Sequence, residues 1–397
     1  MRTPVLVVAG HGDTDGVVTA LLRAEGTFVV RHRFDGHVVE RSVTNLRNGI
    51  PVITESVLEL CHGCISCTIR NDLLKVLRRM HLWKDVDRVV VHLAPWLEPQ
   101  PICWAINHVR VLLGPGFIDG PAARDVQITA VVGCLDTWNW LEQALGDQQL
   151  DDGRTQAQVA VGQAEFADVI VVDHIDKATL AVLSRLAPRA SVVRDQRHVD
   201  KAVASLGEDA RRGRSDDPLG PLLIGQPPLD FDGEVGVVEF GADRPFHPQR
   251  LHEALDVLLS GVVRTRGRIW LANHPSNVMC LESAGGGLRV YSGGKWLAAM
   301  THSEIANVDE QRRVLAGLTW DTRYGDRHTS LVALACGARS EDIRRALEAA
   351  LLTDAEMADP GQWHHYADPF GDWHEDPCVD SPNTEMHTPN IERRDER

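Results

Sequence analysis

The sequence contains no run approaching the roughly 20 apolar residues that a membrane-spanning helix needs. Its first apolar segment, residues 5–8, ends at a glycine-rich loop instead of a signal-peptide cleavage site. Positive charge is also scarce, because 41 lysine and arginine residues stand against 56 acidic ones and leave a net charge of −15. Such an excess of acid disfavours broad, non-specific binding to nucleic acid. These absences predict a globular cytoplasmic protein without membrane contact.

Cysteine is scarce as well, yet three of the 8 cysteines fall close together as Cys61, Cys64 and Cys67. In a cytoplasmic protein, clustered cysteines more often bind metal or carry out redox chemistry than form structural disulfides. Two residues separate each neighbouring pair, which suits thiolate ligands of tetrahedral zinc, and His62 lies among them. The alternatives are a reversible disulfide and plain packing of small side chains. The clustering favours metal or thiol chemistry, with zinc as the metal.

Apolar, β-branched runs alternate with helical patterns over the first half of the chain. These runs are residues 5–8, 27–30, 88–92, 128–132 and 169–173. Continuous apolar runs are what a parallel sheet buried on both faces requires, so residues 1–205 are predicted to form a doubly wound α/β domain. Residues 206–232, rich in Arg, Asp, Gly and Pro, are the predicted linker.

The second half has a different pattern. Residues 233–374 show strand and helix signals typical of a smaller α+β domain with a mostly antiparallel sheet. Residues 375–397 are polar, contain proline and lack periodicity, which predicts a disordered tail.

A glycine-rich loop, AGHGDTDGVVT at residues 9–19, follows the first predicted strand and leads into a predicted helix. This is the layout of a P-loop, in which backbone N–H groups cradle phosphates and a lysine follows the last glycine. Here Val17 occupies the lysine position, and the first lysine of the chain is Lys75. The residues that would line the cradle are Gly10, Gly12, Asp13, Asp15, Gly16 and Thr19.

The charge of this loop opposes phosphate binding. Asp13 and Asp15 put negative charge where phosphate oxygens would arrive, and the lost lysine removes the compensating cation. We therefore expect a loop that keeps the P-loop shape without working as a triphosphate cradle. A Mg²⁺ ion held by Asp13 or Asp15 is the alternative that would restore binding.

Several further segments resemble the CobW family of metal-associated P-loop GTPases. GCISCTIRNDL at residues 63–73 is similar to the family's GCxCC element, with Ser66 in place of the middle cysteine. VVVHLAPWLEP at residues 89–99 resembles the Walker B region, with His92 at the position of its acid. DHID at residues 173–176 resembles the guanine-reading Asn-Lys-x-Asp, of which only Asp176 is kept. Segments at 245–251, 261–272 and 320–332 resemble the C-terminal domain of the family.

The resemblance implies a P-loop NTPase-like doubly wound parallel sheet followed by a smaller α+β CobW C-terminal domain. It also implies zinc as the metal and GTP with Mg²⁺ as the nucleotide. Because the lysine, the Walker B acid and two guanine-reading residues are altered, GTP hydrolysis is expected to be weak or absent. No catalytic residue is assigned for that reason.

Within the family, the altered loop and the APWLEPQPICWAINHVRV run at residues 94–111 resemble an actinobacterial branch. That likeness implies an adaptor that responds to zinc, binds the small (30S) ribosomal subunit and recruits a ribosome hibernation factor. A GTP-dependent zinc metallochaperone is the alternative, and a Cys64–Cys67 redox switch is a third possibility. Basic residues lie on or beside one predicted helix and form either a solvated face or a contact with ribosomal RNA phosphates: Arg70, Lys75, Arg78 and Arg79.

Overall fold

The computed structural model describes residues 1–61, 63–174, 176–217, 219–318 and 320–370. The predicted tail at residues 375–397 and the last four residues of the predicted second domain lie outside the described residues, as does His62. In the described part of the chain, no helix combines the length and the apolar character needed to cross a membrane.

The first domain is built on strands whose bounds follow the apolar runs of the sequence. They are β1 Thr3–Gly10, β2 Thr27–Phe34, β3 Val39–Arg47, β4 Ile50–Leu58, β5 Arg88–His92, β6 Arg110–Val111, β7 Gly120–Pro121, β8 Val126–Leu135, β9 Val169–Val172 and β10 Ser191–Val193. Eight of them form one sheet in the order β10-β9-β8-β1-β5-β2-β3-β4, and β6 pairs with β7. Every pair from β10 to β2 is parallel, which confirms the predicted doubly wound parallel sheet.

Helices cover both faces of this sheet. They are α1 Thr14–Leu22, α2 Ile65–Met80, α3 Pro99–His108, α4 Trp140–Leu145, α5 Gln156–Glu165, α6 Lys177–Leu186 and α7 Val199–Ala204. Alternate residues of β1 point to opposite faces, as the pleat of a strand requires. Val5 and Val7 pack in the apolar cluster that contains α2 and α3, while Leu6 and Val8 pack in the cluster that contains α1. This two-sided burial is why the runs read as continuously apolar.

The second domain has an antiparallel sheet, as predicted. Its strands are β11 Val235–Ala242, β12 Val262–Ile269, β13 Asn277–Ala284, β14 Gly287–Lys295 and β15 Thr329–Cys336, in the order β11-β15-β12-β13-β14. The helices are α8 Pro248–Ala254, α9 Asp256–Leu259, α10 His302–Ala306, α11 Glu310–Leu318, α12 Ser340–Ala350 and α13 Asp354–Ala358. The buried side chains of α8, α9 and α12 form an apolar cluster with the sheet.

The two domains are packed against each other. One apolar cluster contains Trp140 and Ala160 of the first domain together with Val263 and Leu334 of the second. An ion pair also crosses between them, since Arg264 Nε lies 3.0 Å from a carboxylate oxygen of Glu165. The predicted linker at 206–232 falls between α7 and β11.

The linker segment is fastened to the first domain. The amide of Arg212 donates to both carboxylate oxygens of Asp168, at 3.0 and 3.1 Å. Asp168 also accepts from the amide of Val131 in β8, at 2.9 Å. Because Asp168 follows α5 and precedes β9, it ties the linker segment to the sheet of the first domain.

The hairpin of β3 and β4 was not predicted from the sequence. The two strands pair antiparallel along their whole length and extend the parallel sheet past β2. Most side chains of β4 are exposed, so the hairpin lacks the continuous apolar run that marked the other strands.

Candidate functional site

The glycine-rich loop between β1 and α1 is folded down against β8. Gly10 has a φ of +131°, and a Cβ atom there would lie 2.0 Å from the carbonyl oxygen of Cys134. The same carbonyl oxygen accepts a hydrogen bond from the amide of Gly12 at 2.9 Å. Both the backbone angle and the close approach require glycine at residue 10. The loop is therefore closely fitted to the neighbouring strand.

Several amide donors of this loop are used inside the protein. The carboxylate of Asp13 caps α1 and accepts from the amide of Gly16 at 2.8 Å. The amide of Thr14 donates to the carbonyl of Gly12 at 2.8 Å, and that of Val17 donates to the carbonyl of Asp13 at 3.3 Å. A bound phosphate would need such N–H groups, and it would meet a carboxylate at the helix N-terminus. As arranged here, the loop does not fit a triphosphate.

Two side chains from other strands face Asp15 of the loop. Arg31 on β2 donates from Nη1 to Asp15 Oδ1 at 3.0 Å, and Nδ1 of His92 lies 3.9 Å from the same oxygen. Burial of His92, reinforced by the charge of Arg31, lowers the pKa of this histidine to about 4. A neutral imidazole therefore stands at the Walker B position, where a carboxylate would be needed to bind Mg²⁺. The hydroxyl of Thr19 donates to the Asp15 carbonyl at 2.7 Å, so its proton is used within α1.

Arg31 is a site residue that the sequence analysis missed. It supplies a cation beside the loop, where the P-loop lysine is lacking. It lies 16 residues from Asp15 along the chain, and the two meet only because β2 lies close to the loop in the folded sheet. The sequence signal was an arginine directly after the apolar run 27–30, which by itself does not indicate a partner.

The turn after β5 is braced by side chains of α5 and the segment before it. Gln163 Nε2 donates to the carbonyl of Pro95 at 2.7 Å, and its Oε1 lies 3.1 Å from Nδ1 of His11. Glu98, at the end of the same turn, pairs with Arg154 at 2.6 Å. Burial raises the pKa of Glu98, and the charge of Arg154 opposes that rise. This carboxylate is therefore engaged in holding the turn.

Asp176, the last residue of the DHID segment that resembles the guanine-reading motif, is the N-cap of α6. Its carboxylate accepts from the Thr179 amide at 3.0 Å and from the Thr179 hydroxyl at 2.6 Å, and these bonds lower its pKa. Beside it, the rings of Trp138 and His174 stack with centroids 4.6 Å apart. The aspartate is thus engaged as a helix cap, and His174, stacked on Trp138, stands at the position of the motif's lysine.

The cysteine segment connects β4 to α2. Cys64 is the N-cap of α2, and its sulfur accepts from the amide of Cys67 at 3.2 Å. The hydroxyl of Thr68 accepts from the amide of Cys61 and donates to the carbonyl of Cys64, both at 2.8 Å. All three cysteines are half-buried. Among the residues that the structure describes, which exclude His62, no three His, Cys, Asp or Glu side chains are already arranged to hold a metal ion.

The basic residues of α2 separate into surface and core. Lys75 and Arg79 are exposed, and Arg70 is half-buried. Arg78 is buried, and its Nε donates to Asp125 at 2.6 Å. Including Arg78 in a surface that contacts RNA phosphates was therefore wrong. The side chain lies on the same buried stripe as Leu74 and Leu77, where acceptors from the segment after α3 surround it.

The parallel sheet and the glycine-rich loop between β1 and α1 define a class of protein: a P-loop NTPase-like domain followed by a domain with an antiparallel sheet. Residues 31–200 match the nucleotide-binding domain model described as CobW/HypB/UreG. Residues 235–351 match the cobalamin synthesis protein cobW C-terminal domain. The chain belongs to the CobW family. The first match begins after the altered glycine-rich loop at residues 9–19.

The names of several similar proteins refer to zinc. A Mycobacterium tuberculosis protein named zinc chaperone Rv0106 is 61% identical over 383 residues, covering 96% of each chain. The zinc-regulated GTPase metalloprotein activator 1 of Dictyostelium discoideum is 26% identical over 344 residues, covering 80% of this chain and 70% of that protein. Among solved structures, the Zn(II)-bound YjiA GTPase from E. coli is 16% identical, with a TM-score of 0.39 and coverage of 88% of this chain and 99% of that one.

Proposed function

We propose that this protein is a zinc chaperone, which binds zinc through Cys61, Cys64 and Cys67 and passes it to a client protein. The observation that carries the proposal is the 61% identity, over 96% of both chains, to a relative named zinc chaperone. The three thiols supply the donor set that such a function needs. The names of the relatives thus favour metal delivery over the ribosomal adaptor that the sequence analysis placed first.

The cysteine segment suits the capture and release of zinc. Thiolates bind zinc at about 2.3 Å, and the three cysteines of this segment are half-buried instead of enclosed in the core. Cys64 lies at the N-terminus of the 16-residue α2, where its sulfur accepts a hydrogen bond from the Cys67 amide. Three protein ligands would leave one coordination position for a ligand from the client.

The nucleotide loop points to delivery that is not driven by GTP hydrolysis. The loop amides are used by Asp13 and by backbone carbonyls, and the Walker B position holds a neutral histidine. No lysine is present in the loop. We therefore assign no hydrolytic step to this chain.

The test is a zinc titration of the full chain against a chromophoric chelator, with GTP added in a parallel calorimetric series. We expect zinc to bind, GTP to give no saturable heat, and Cys64→Ser to weaken zinc binding by more than roughly tenfold. Cys336→Ser is the matched control, because Cys336 is also half-buried but lies at the end of β15, outside the cysteine segment. Equal zinc affinity in the wild type and in a variant lacking all three clustered cysteines would refute the proposal.

A second candidate is docking on the small ribosomal subunit with recruitment of a hibernation factor. One observation favours it: Lys75 and Arg79 are exposed on the helix that begins at the cysteines. Contacts to RNA phosphates are electrostatic and lose strength as salt rises. Sedimentation with purified 30S subunits, with and without a zinc chelator, tests this candidate.

A further inference from the structure

The hairpin edge of the large sheet is unusually open. β4 is its last strand, has nine residues, and exposes the apolar side chains of Ile50, Val52, Ile53 and Val57. At the opposite edge of the sheet, β10 has only three residues. Folded proteins usually blunt an edge with short strands, lysines or covering segments, because an open edge recruits further strands. Within the part of the chain that the structure describes, β4 has none of these protections, and only Pro51 near its start interrupts the row of N–H groups.

The turn of the hairpin fixes which backbone groups face outward. Asn48 and Gly49 both have positive φ, 53° and 78°, as a two-residue type I′ turn requires. The residues that flank such a turn, Arg47 and Ile50, form a hydrogen-bonded pair in the antiparallel register. Hydrogen-bonded and non-hydrogen-bonded pairs then alternate along the hairpin.

This alternation leaves a regular row of outward-facing groups on β4. Ile53, Glu55 and Val57 fall in non-hydrogen-bonded pairs with β3, so their N–H and C=O groups point away from the sheet. Pro51 occupies the next such position towards the turn and has no N–H group. The side chains of Ile53, Glu55 and Val57 also share one face, because they are two residues apart. The exposed side chains of Ile53, 58% exposed, and Val57, 68% exposed, therefore lie on either side of the Glu55 carboxylate.

The charge of this row argues against a second copy as the occupant. When the three residues of one β4 pair antiparallel with the same three of a second copy, Ile53 lies opposite Val57 and Glu55 opposite Glu55. A shift of two residues towards the turn avoids the Glu55 pair but places Pro51, which has no N–H to donate, opposite Val57. Like charges directly opposite each other destabilise a strand pair, whereas opposite charges stabilise it. A segment that carries a lysine or arginine between two apolar residues, each two positions away, fits the row without this conflict.

We propose that β4 is a docking strand for the client protein, which adds an extended antiparallel segment with the pattern apolar-x-basic-x-apolar. Main-chain hydrogen bonds to Ile53, Glu55 and Val57 supply the binding, and the basic side chain opposite Glu55 supplies selectivity. The proposal rests on the proposed delivery of zinc, because it identifies the surface by which the client is held. Val57 is four residues from Cys61, at most about 13 Å of extended chain, so a segment docked here lies beside the cysteine segment.

The first experiment measures amide hydrogen exchange, residue by residue, in the full chain with and without a peptide. The probe is acetyl-Thr-Val-Thr-Lys-Thr-Val-Thr-amide, which carries the predicted pattern. In the free protein the amides of Ile53, Glu55 and Val57 should exchange fast, while those of Thr54 and Ser56, which face β3, exchange slowly. The peptide should slow the three outward amides and leave the other two unchanged. Binding without this alternation would overturn strand addition.

The second experiment uses fluorescence anisotropy with a labelled form of this peptide and a partner in which glutamate replaces its lysine. We expect the wild type to prefer the lysine peptide by about five-fold and Glu55→Lys to reverse that preference. Ile53→Pro removes an outward N–H without touching the ladder to β3 and should abolish binding. Ile50→Thr is the matched control, since it removes an exposed apolar group from the other face and should leave the affinity unchanged.

The outcomes separate this inference from the proposed function. Cys64→Ser should lose zinc affinity and keep peptide binding, while Ile53→Pro should do the reverse. Intact zinc binding with no affinity for either peptide overturns the docking strand alone. A second copy would cover the edge if the protein sediments as a dimer, if its outward amides are already protected from exchange, and if Ile53→Pro removes that protection. This result would also overturn the docking strand for a client.

Discussion

Two neighbouring arginines of α2 should behave in opposite ways when each is replaced by alanine. Arg78 is 1% exposed and pairs with Asp125, which is 19% exposed. Its guanidinium also donates to the carbonyls of Ile118 at 2.7 Å and of Val111 and Gly120 at 3.3 Å. Arg79, one residue further along, is exposed to solvent. The pair therefore provides a variant and its matched control within a single turn.

The expected magnitudes differ because only one of the arginines is buried. Removing one partner of a buried ion pair costs about 3–5 kcal/mol, since the other charge and the carbonyls are left unsatisfied. Asp125 keeps some contact with solvent, which places Arg78→Ala near the lower end, at about 3 kcal/mol. At 2–4 °C per kcal/mol for a domain of this size, the Tm should fall by roughly 6–12 °C. Arg79→Ala should change the free energy of unfolding by no more than about 0.5 kcal/mol.

Thermal and urea unfolding, followed by circular dichroism, measure both variants. The same two proteins can then be sedimented with 30S subunits, where loss of binding in Arg79→Ala alone would support a surface role for this helix. Similar destabilisation by the two substitutions, or none by either, would refute the assignment of Arg78 to the core.

Three further predictions concern the loop, its histidine and the thiols. Val17→Lys should lower the free energy of unfolding by roughly 3 kcal/mol, because Val17 is 0% exposed and an ammonium there loses its hydration. The variant should show no heat of GTP binding in calorimetry, and a stable variant that binds GTP would contradict this. His92 has its pKa lowered from 6.5 to about 4, so the unfolded chain binds the proton more tightly and stability is lost as pH falls from about 6.5 to 4. His92→Gln should remove about 2 kcal/mol of this loss at pH 5 in urea unfolding, and an unchanged pH profile would disprove the effect. Zinc affinity in chelator competition should fall below neutral pH, since thiolate ligands must release protons, and a pH-independent affinity would argue against cysteine ligands.

The sequence predicted the central strands because their burial is a local property. The central stretches of β1 and β5, residues 5–8 and 89–91, are apolar at every position, and this shows directly in the chain. The hairpin of β3 and β4 was missed for the same reason, since β4 is exposed and its apolar residues are interrupted by Thr54 and Glu55. The strand forms because the Asn48–Gly49 turn and pairing with β3 impose it.

Those features of the site that depend only on the type of residue were predicted from the sequence. Those that depend on contacts between residues distant in sequence were missed. The lost lysine at Val17 could be read directly, and so could the charge of Asp13. The capping bond that the Gly16 amide donates to Asp13, and the approach of Arg31 to Asp15, follow only from the fold. Arg78 was misplaced because helical periodicity identifies a stripe but not the carbonyls and carboxylate that satisfy a buried guanidinium.

The apolar cluster shared by the two domains determines whether the chain can be truncated between them. Trp140 and Ala160 lie in the same cluster as Val263 and Leu334, although 206–232 separates them along the chain. A truncated product ending near residue 205 would expose one side of that cluster to water and become a substrate for aggregation or proteolysis. The two domains therefore differ in topology but do not fold independently. We expect them to be encoded and expressed together and to unfold in a single thermal transition.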